Sequence, residues 1–195
     1  FFETAVLPRR PLINPKSNKS ANGSLTAGNS TPLTDGASAV LLSSTAWAKA
    51  HNLELLAYFV DCDVAAVDYV HGAGLLMAPT IAVSRLLQRN NISLQDFDYY
   101  EIHEAFAGQV LYTLKAWESA EYCRTVLNRD QALGSIDVEK MNVKGGSLAL
   151  GHPFAATGGR IVGAAAKILA EKGKGRILIS VCTAGGMGVA AILER

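Results

Sequence analysis

The sequence predicts an α/β protein. Segments with the pattern of a buried strand alternate along the chain with segments of helical periodicity, and this alternation is typical of the class. Nearly half of the 195 residues are apolar (49%), which indicates extensive buried strands or buried interfaces. The last two strand patterns are separated only by a glycine-rich turn, so we expect them to run antiparallel.

The N-terminal part of the chain is dominated by loops. Residues 1–24 contain three prolines and almost no periodicity, and they predict a polar linker. Residues 25–36 predict a turn-rich loop. The elements expected next are a buried strand at 37–43, a short helix at 45–51, and a strand within 54–70 that Asp61, Cys62 and Asp63 interrupt.

Helical and strand patterns then alternate up to the C-terminus. Pro79 suits the first residue of a helix that runs to about Asn90, because its fixed φ fits a helix and its missing N–H is not needed there. The further elements predicted are a strand at 97–102, a helix at 104–117, an exposed helical insert at 120–134, a helix at 155–172, and strands at 176–182 and 187–193.

Charge and cysteine content exclude several classes of function. The net charge is +1 with no basic stripe, so nucleic acid is not an expected partner. The three cysteines are widely spaced and form no Cys-x-x-Cys pair, which argues against a disulfide framework and a zinc site and favours a reducing compartment. No apolar run has the length of a membrane span. The chain starts at Phe1 without a signal-peptide pattern, and we expect it to begin inside a longer protein.

The stretch 142–160 contains the first candidate catalytic residue, His152. Gly151 precedes it and Pro153 follows it, and a proline biases the residue before it away from the α region. The imidazole is therefore expected on a turn just before a helix. A histidine in such a place is either structural or catalytic, and its unperturbed pKa near neutrality suits acid–base chemistry.

The second candidate is Cys182, at the end of a predicted strand. Small residues and a tight glycine turn follow it, so backbone N–H groups should lie beside its sulfur, as an oxyanion hole requires. The alternative for any free cysteine is a buried structural role. We assign that role to Cys62 and Cys123, which lack this setting.

The third candidate is the pair His103 and Glu104, where a predicted strand turns into a helix. The positive end of a helix favours a carboxylate and disfavours an imidazolium. By itself the pair is equally compatible with a solvated helix cap.

Taken together and in this order, the three motifs resemble the C-terminal half of the thiolases. The motifs are His-Glu-Ala-Phe (103–106), Gly-Gly-Ser-Leu-Ala-Leu-Gly-His-Pro (145–153) and Cys-Thr-Ala-Gly-Gly-Met-Gly (182–188). Residues 26–38 resemble the thiolase stretch that returns from the loop domain to the last strand of the N-terminal domain. Most thiolases have Asn in the place of His103, and His-Glu-Ala-Phe resembles the branch that includes the β-subunits of fatty-acid-oxidation complexes.

The resemblance implies a thiolase-like C-terminal domain over residues 51–195, a mixed sheet with helices on both faces. Residues 25–50 would hold the last strand and helix of the N-terminal domain. Residues 1–24 would be a linker or a remnant of the loop domain. The three candidate catalytic side chains should converge at one end of the sheet.

The resemblance also implies a role for each catalytic residue. The nucleophilic Cys that thiolases carry in their N-terminal half has no match in this chain. His152 would accept the proton of that Cys and donate to the thioester oxygen. His103 would hold a water that completes the oxyanion hole. Cys182 would be the acid/base, a role that a thiol suits because its pKa can be moved near neutrality.

Further residues take supporting roles by the same resemblance. The N–H of Ala184, next to Gly185, would belong to a second oxyanion hole, and Glu104 would order the active-site loops. Thr31 and Phe154 would lie along the path of CoA.

The implied activity is cleavage of a 3-ketoacyl-CoA by CoA into acetyl-CoA and a shortened acyl-CoA, or the reverse Claisen condensation. CoA is then a substrate, and no tightly bound cofactor or metal is expected. Without the nucleophilic Cys, this chain alone should be inactive. The alternatives are a β-ketoacyl synthase-like condensing enzyme, a non-catalytic thiolase-like subunit of an oxidation complex, and a cysteine hydrolase built on Cys182.

The same resemblance implies partners and location. The full-length protein would be a homodimer or homotetramer, or part of a complex with a hydratase/dehydrogenase subunit. It would be cytoplasmic in a bacterium and mitochondrial or peroxisomal otherwise. In the chain by itself, we expect the helix 155–172 to leave an apolar face uncovered.

Overall fold

The computed structural model describes residues 24–72 and 74–195. The linker predicted at 1–24 lies outside them except for Ser24. The helices and strands of the described residues are, in chain order, α1 (Thr45–Ala50), β1 (Tyr58–Ala66), α2 (Ala78–Asn90), β2 (Tyr99–Ile102), α3 (Ala107–Glu118), α4 (Ala120–Thr125), α5 (Ser147–Leu150), α6 (Thr157–Lys172), β3 (Arg176–Thr183) and β4 (Met187–Glu194). None of these helices has the length and apolar character needed to cross a membrane.

The strands form one mixed sheet in the order β1-β4-β3-β2. β2 and β3 are parallel, with Tyr99 opposite Ile177, whereas β4 is antiparallel to both of its neighbours. The antiparallel arrangement predicted for the last two strands is therefore confirmed. So is the predicted fold class, a mixed sheet in an α/β protein.

Helices cover both faces of the sheet, as predicted. Successive side chains of a strand point to opposite faces, and β3 follows this rule. Leu178 packs on the face covered by α2 and α3. Ile177 and Ile179 pack on the other face, against Ile161 and Leu169 of α6.

β1 passes through the acidic residues that were predicted to interrupt it. Arg89 of α2 explains why, because its guanidinium lies 2.8 Å from the Asp61 carboxylate and 2.7 Å from that of Asp63. The register of β1 shifts between Phe59 and Asp61, and the strand then continues to Ala66. The ion pairs hold the acids at the edge of the sheet without ending the strand.

The strand predicted at 37–43 is absent. These residues have no regular secondary structure and all are exposed; Leu41 and Leu42 are each 71% exposed. Their apolar sequence is typical of a buried strand, but a strand requires a hydrogen-bonded neighbour. None of the four strands in the described sheet lies beside them.

The helix predicted at 104–117 begins later than expected. α3 starts at Ala107 with Phe106 as its N-cap, so His103 and Glu104 lie before the helix and not in its first turn. The expectation that a helix N-terminus acts directly on these two side chains is therefore wrong. Their environment is set by other parts of the chain.

The insert at 120–134 is helical only over α4 and is not an exposed appendage. Cys123 is fully buried in the same cluster as Trp117, so the structural role predicted for this cysteine fits its position. Cys62, in contrast, is exposed on the edge strand β1, so the buried role predicted for it is wrong. Leu127, two residues after α4, is also buried and packs in the same cluster.

Candidate active site

Two of the predicted catalytic residues lie at the carboxyl ends of neighbouring parallel strands. His103 follows β2 directly, and its backbone N–H donates to the Ser180 carbonyl of β3 at 2.8 Å. Cys182 lies near the end of β3, with the backbone N–H of Ala105 close to its sulfur. The carboxyl ends of parallel strands meet at one edge of the sheet, where α/β proteins place their sites.

His152 is brought to the same edge by the turn between α5 and α6. The centroid of its ring lies 4.2 Å from that of His103, with 55° between the ring planes. Gly151, just before it, has φ of +92°, which side-chain-bearing residues rarely adopt. A Cβ at Gly151 would also collide with the side chain of Thr34. The turn that carries His152 therefore depends on this glycine.

The segment 30–38 lies across the site. The Thr31 N–H donates to the Ala105 carbonyl at 3.0 Å, next to the loop that follows β2. The Ser38 hydroxyl donates to the Ala156 carbonyl at 2.6 Å, just before α6. Residues that precede β1 by twenty or more positions thus contact the loops of both histidines. Their assignment to a separate N-terminal domain stays a prediction.

The two imidazoles have different hydrogen-bond partners. The Nδ1 atom of His103 lies 2.8 Å from Ser147 Oγ, and that of His152 lies 2.6 Å from Thr157 Oγ1. The Thr157 hydroxyl donates to the Pro153 carbonyl at 3.1 Å, so its oxygen accepts the Nδ1 proton of His152. Nε2 of His152 is then unprotonated, as a general base requires.

Both imidazoles are held neutral. Burial lowers the pKa of His103 to about 4, with contributions from neighbouring His152 and from the positive charge of Arg160. Burial and Arg160 also lower the pKa of His152. At neutral pH the two rings are uncharged, so they contact each other without mutual repulsion.

Glu104 ties the end of β2 to the loop that precedes α5. One carboxylate oxygen accepts from the Asn142 amide at 2.6 Å, and the other accepts from the Leu148 N–H at 3.2 Å. A Cβ at Gly146 would collide with this carboxylate. Gly146 therefore leaves room for the carboxylate that holds the loop.

Asn142 reinforces the same junction and was given no role by the sequence analysis. Its side chain accepts from the Ile102 N–H at 2.8 Å and donates to the Ile102 carbonyl at 2.9 Å. The Asn142 side chain thus bonds to the backbone of β2 as a neighbouring strand would, in addition to the pairing of β2 with β3. The motif that begins at Asn142 was visible in the sequence. The hydrogen bonds of its side chain to the β2 backbone are recognised only in the fold.

Ser147, Thr157 and Arg160 were also missed. Ser147 and Thr157 hold the Nδ1 atoms of the two histidines, and the Arg160 guanidinium donates to Ser147 Oγ at 2.9 Å. Thr157 lies five residues after His152, a spacing that could have been recognised. Ser147 lies 44 residues from His103 in sequence, so only the fold connects them.

Cys182 has a different electrostatic character from the one predicted. Burial raises the pKa of its thiol to about 11, although hydrogen bonds from its own backbone and from Ala105 counteract part of the effect. In this chain the group is a neutral thiol at neutral pH, not a group poised near neutrality. A neutral thiol is competent to donate a proton.

The other predicted site residues lie around this cluster. Ala184 and Gly185 are on the exposed turn between β3 and β4, where Gly185 has φ of +86°. Phe154 is 75% exposed, and its ring centroid lies 4.7 Å from that of His152. Thr31 is half-buried, and its N–H bonds to the loop that follows β2. Among the described residues, no cluster of His, Cys, Asp and Glu side chains is arranged to hold a metal ion.

This fold, with two histidines and a cysteine at one sheet edge, defines the C-terminal domain of a thiolase-like protein. The family model described as "Thiolase, C-terminal domain" matches residues 53–195. The chain belongs to the thiolase family.

Similar proteins agree with this assignment. The 3-ketoacyl-CoA thiolase of Aeromonas salmonicida is 47% identical over 173 residues, which are 89% of this chain and 39% of that protein. The 3-ketoacyl-CoA thiolase of Colwellia psychrerythraea is 42% identical over 194 residues, which are 100% of this chain and 44% of that protein. The chain thus spans about two fifths of the length of these relatives.

A solved structure has the same fold. The crystal structure of the Bacillus anthracis acetyl-CoA acetyltransferase superposes with a TM-score of 0.70 at 35% sequence identity. The match covers 88% of this chain and 39% of that protein.

Proposed function

We propose that the protein containing this chain cleaves 3-ketoacyl-CoA with CoA to acetyl-CoA and a shortened acyl-CoA, and runs the reverse condensation. The observation that carries the proposal is the contact between the His103 and His152 rings at the sheet edge that also holds Cys182. The names of the similar proteins, 3-ketoacyl-CoA thiolase and acetyl-CoA acetyltransferase, support this reaction class.

His152 is the base in this proposal. Its Nε2 accepts the proton of a nucleophilic cysteine, which thiolases carry in their N-terminal half. The resulting thiolate attacks the 3-keto carbonyl. The Cα–Cβ bond then breaks, the acyl group stays on the nucleophile as a thioester, and the electron pair leaves with the acetyl-CoA carbanion. The unprotonated Nε2 and the half-buried position of His152 support this role.

Cys182 supplies the proton that the carbanion needs. Its raised pKa keeps the thiol protonated at neutral pH, so the proton is available when the carbanion forms. Incoming CoA gives its thiol proton to the Cys182 thiolate left behind and takes the acyl group from the nucleophile. The nucleophile, released as a thiolate, takes its proton back from His152, so the cycle closes with both cysteines protonated again.

His103 acts as a hydrogen-bond donor near the thioester oxygen, directly or through a water. Its Nε2 is buried and has no partner among the described residues, which leaves this atom available to a ligand. Ala184 and Gly185 contribute backbone N–H groups to a second oxyanion hole. Phe154, exposed beside His152, and Thr31 line the approach of the CoA arm.

The substrate and the setting are proposals of the same kind. CoA and acyl-CoA are substrates, and no resident cofactor takes part. The similar proteins named above are bacterial, which supports the cytoplasm of a bacterium as the location. A homodimer or homotetramer, or assembly with a hydratase/dehydrogenase subunit, would supply the rest of the site's surroundings.

The test is an assay of the full-length protein with acetoacetyl-CoA and with a longer 3-ketoacyl-CoA. We expect loss of the ketoacyl-CoA and formation of acetyl-CoA only when free CoA is present. The isolated 195-residue chain should show no cleavage, because it lacks the nucleophile.

Three results would contradict the proposal. Release of free acid without CoA would indicate a hydrolase. Condensation without any thiolysis would indicate a synthase-like enzyme. No turnover with either substrate would favour a non-catalytic subunit.

A further inference from the structure

Ser147 connects a histidine of the site to a positive charge. Its hydroxyl oxygen lies 2.8 Å from Nδ1 of His103 and 2.9 Å from a guanidinium nitrogen of Arg160. Ser147 is fully buried. Water therefore does not compete for these hydrogen bonds.

Counting protons fixes the direction of both bonds. A guanidinium only donates, so Ser147 Oγ accepts from Arg160. The hydroxyl has one proton, and its remaining partner among the described residues is Nδ1 of His103. That nitrogen therefore accepts, and a neutral His103 carries its proton on Nε2.

The charge of Arg160 is not neutralised by an ion pair. No carboxylate of the described residues forms a salt bridge with it, and its Nε is buried without a partner. Glu101 is the acid whose pKa responds to Arg160, but burial raises that pKa to about 7, so the group is largely protonated below neutrality. Arg160 is half-buried. An enclosed N–H that forms no hydrogen bond is costly for stability, and such costs are retained mainly at functional sites.

We propose that Arg160 is a positioning residue which, through the Ser147 hydroxyl, holds His103 as the neutral tautomer with its proton on Nε2. This rests on the proposed function, because that N–H would then donate to the thioester oxygen or to a water beside it. A His in this tautomer supplies the same kind of donor as the amide of the Asn that most thiolases have at this place. His152 has the opposite tautomer, so the adjacent rings act as one donor and one base.

The charged and titratable groups around His103 come from three parts of the chain. Glu101 lies on β2 and Glu104 follows it, His152 lies on the turn before α6, and Arg160 lies on α6. Of these, Arg160 and His152 lower the pKa of His103, in addition to burial. Removing Arg160 should therefore make His103 easier to protonate.

The test uses the full-length protein labelled with ¹⁵N in its histidine rings, with no substrate bound. Resonances are assigned with His103→Asn and His152→Ala. We expect a pyrrole-type Nε2 and a pyridine-type Nδ1 for His103, and the reverse for His152. A pyrrole-type Nδ1 on His103 overturns the proposal.

Ser147→Ala tests the connection with a small change in volume. We expect His103 to become a mixture of tautomers in this variant, while Ser84→Ala, at a buried serine of α2, leaves the spectrum unchanged. An unaltered His103 tautomer in Ser147→Ala would overturn the proposal even if no Arg160 variant folded.

Arg160 variants separate the hydrogen bond from the charge. In Arg160→Met, His103 should become a mixture of tautomers and its pKa should rise, which moves the acidic limb of the kcat/KM profile to higher pH. Arg160→Lys keeps the charge, so the pKa should stay low while the tautomer is lost. Lys167→Met, an exposed charge on the same helix, is the control and should change neither. Unchanged tautomer and pH profile in Arg160→Met would contradict the proposal.

The spectrum distinguishes this inference from the proposed function. A protein with Nε2-protonated His103 but without CoA-dependent cleavage would overturn the thiolase activity and leave the tautomer assignment intact. CoA-dependent cleavage by a protein whose His103 carries its proton on Nδ1 would support the thiolase activity and overturn the tautomer assignment.

Discussion

The sheet edge that carries the two histidines and the segment 37–43 have opposite environments. His103 is 2% exposed, and its ring contacts His152 and hydrogen-bonds to Ser147. Leu41 in the segment is 71% exposed and has no strand beside it. The polar site is supported from within this chain, whereas the apolar side chains of the segment are not covered by it, although Ser38 at the start of the segment bonds to the Ala156 carbonyl.

This difference has a physical origin. The site is held by turns, glycines and side-chain hydrogen bonds, which act over short distances and are all present here. A strand is held by backbone hydrogen bonds to a neighbour, so it cannot form where that neighbour is lacking. Exposed apolar side chains on such a segment favour association with a further surface.

The largest expected effect is a loss of turnover that differs in kind between Cys182 and His152 variants. In the full-length protein, Cys182→Ser should still be acylated by radiolabelled acetyl-CoA, while its turnover falls by about 10²–10⁴-fold because serine is a far weaker acid. His152→Ala should not be labelled, since the nucleophile is then not activated. Label that survives denaturation is counted for each variant. Equal labelling of both, or none on either, would remove the basis for assigning them different roles.

The next largest effect is the difference in unfolding free energy between a substitution in the core of the sheet and one in the exposed segment 37–43. Leu178→Ala should lower the unfolding free energy of this chain by about 2–5 kcal/mol, because it leaves a cavity in the packed sheet. Leu41→Ala should change it by less than about 0.5 kcal/mol. Urea denaturation measures both. A cost at Leu41 similar to that at Leu178 would mean that the segment is packed in solution.

Repeating Leu41→Ala in the full-length protein sharpens the comparison. A cost of about 2 kcal/mol or more there, with none in the chain, would place the segment in a core that other residues complete. An equally small cost in both would contradict the prediction that 25–50 belongs to the N-terminal domain.

Two glycine substitutions test how tightly the site edge is packed. Gly146→Ala should destabilise the chain by about 1–3 kcal/mol, because the new methyl group displaces the Glu104 carboxylate. Gly163→Ala, in α6 with open space around it, should stabilise by about 0.5–1 kcal/mol through helix propensity. Thermal unfolding of both variants gives the sign. A neutral Gly146→Ala would show that the loop before α5 adapts easily.

The smallest expected effect is the pH dependence of the unfolding free energy, to which the buried groups Glu101 and His103 contribute with opposite sign. Burial raises the pKa of Glu101 from 4.5 to about 7, so its contribution to stability is lost as the pH rises through this range. The pKa of His103 is lowered from 6.5 to about 4, so its contribution is lost as the pH falls. Each slope is about 1.4 kcal/mol per pH unit at most, and between pH 4.5 and 6.5 they oppose each other.

The Glu101→Gln substitution removes the contribution of Glu101 to the pH dependence of the unfolding free energy. The unfolding free energy of this variant should fall more steeply than that of the parent chain as the pH decreases from 6.5 to 4.5, because the opposing contribution of Glu101 is gone while those of His103 and His152 remain. Arg160, His152 and Glu104 are left in place, so the difference isolates Glu101. Parallel pH profiles for variant and parent would show that Glu101 does not titrate in this window.

The sequence alone determined the α/β class, the antiparallel last strands and the three motifs of the thiolase family. Periodicity and glycine placement are local, so they can be recognised without the fold. The order of His103, His152 and Cys182 along the chain was enough to identify the family. It was also enough to predict that the three meet at one edge of the sheet.

Only the tertiary structure decided the electrostatics of the site and the fate of the segment 37–43. Burial depends on which surfaces meet, so the raised pKa of Cys182 and the connection from Arg160 through Ser147 to His103 were not visible in the sequence. Strand formation likewise depends on a partner strand, which no local pattern reports. The sequence specifies what each segment can become, and the neighbours it meets in the fold decide what it does become.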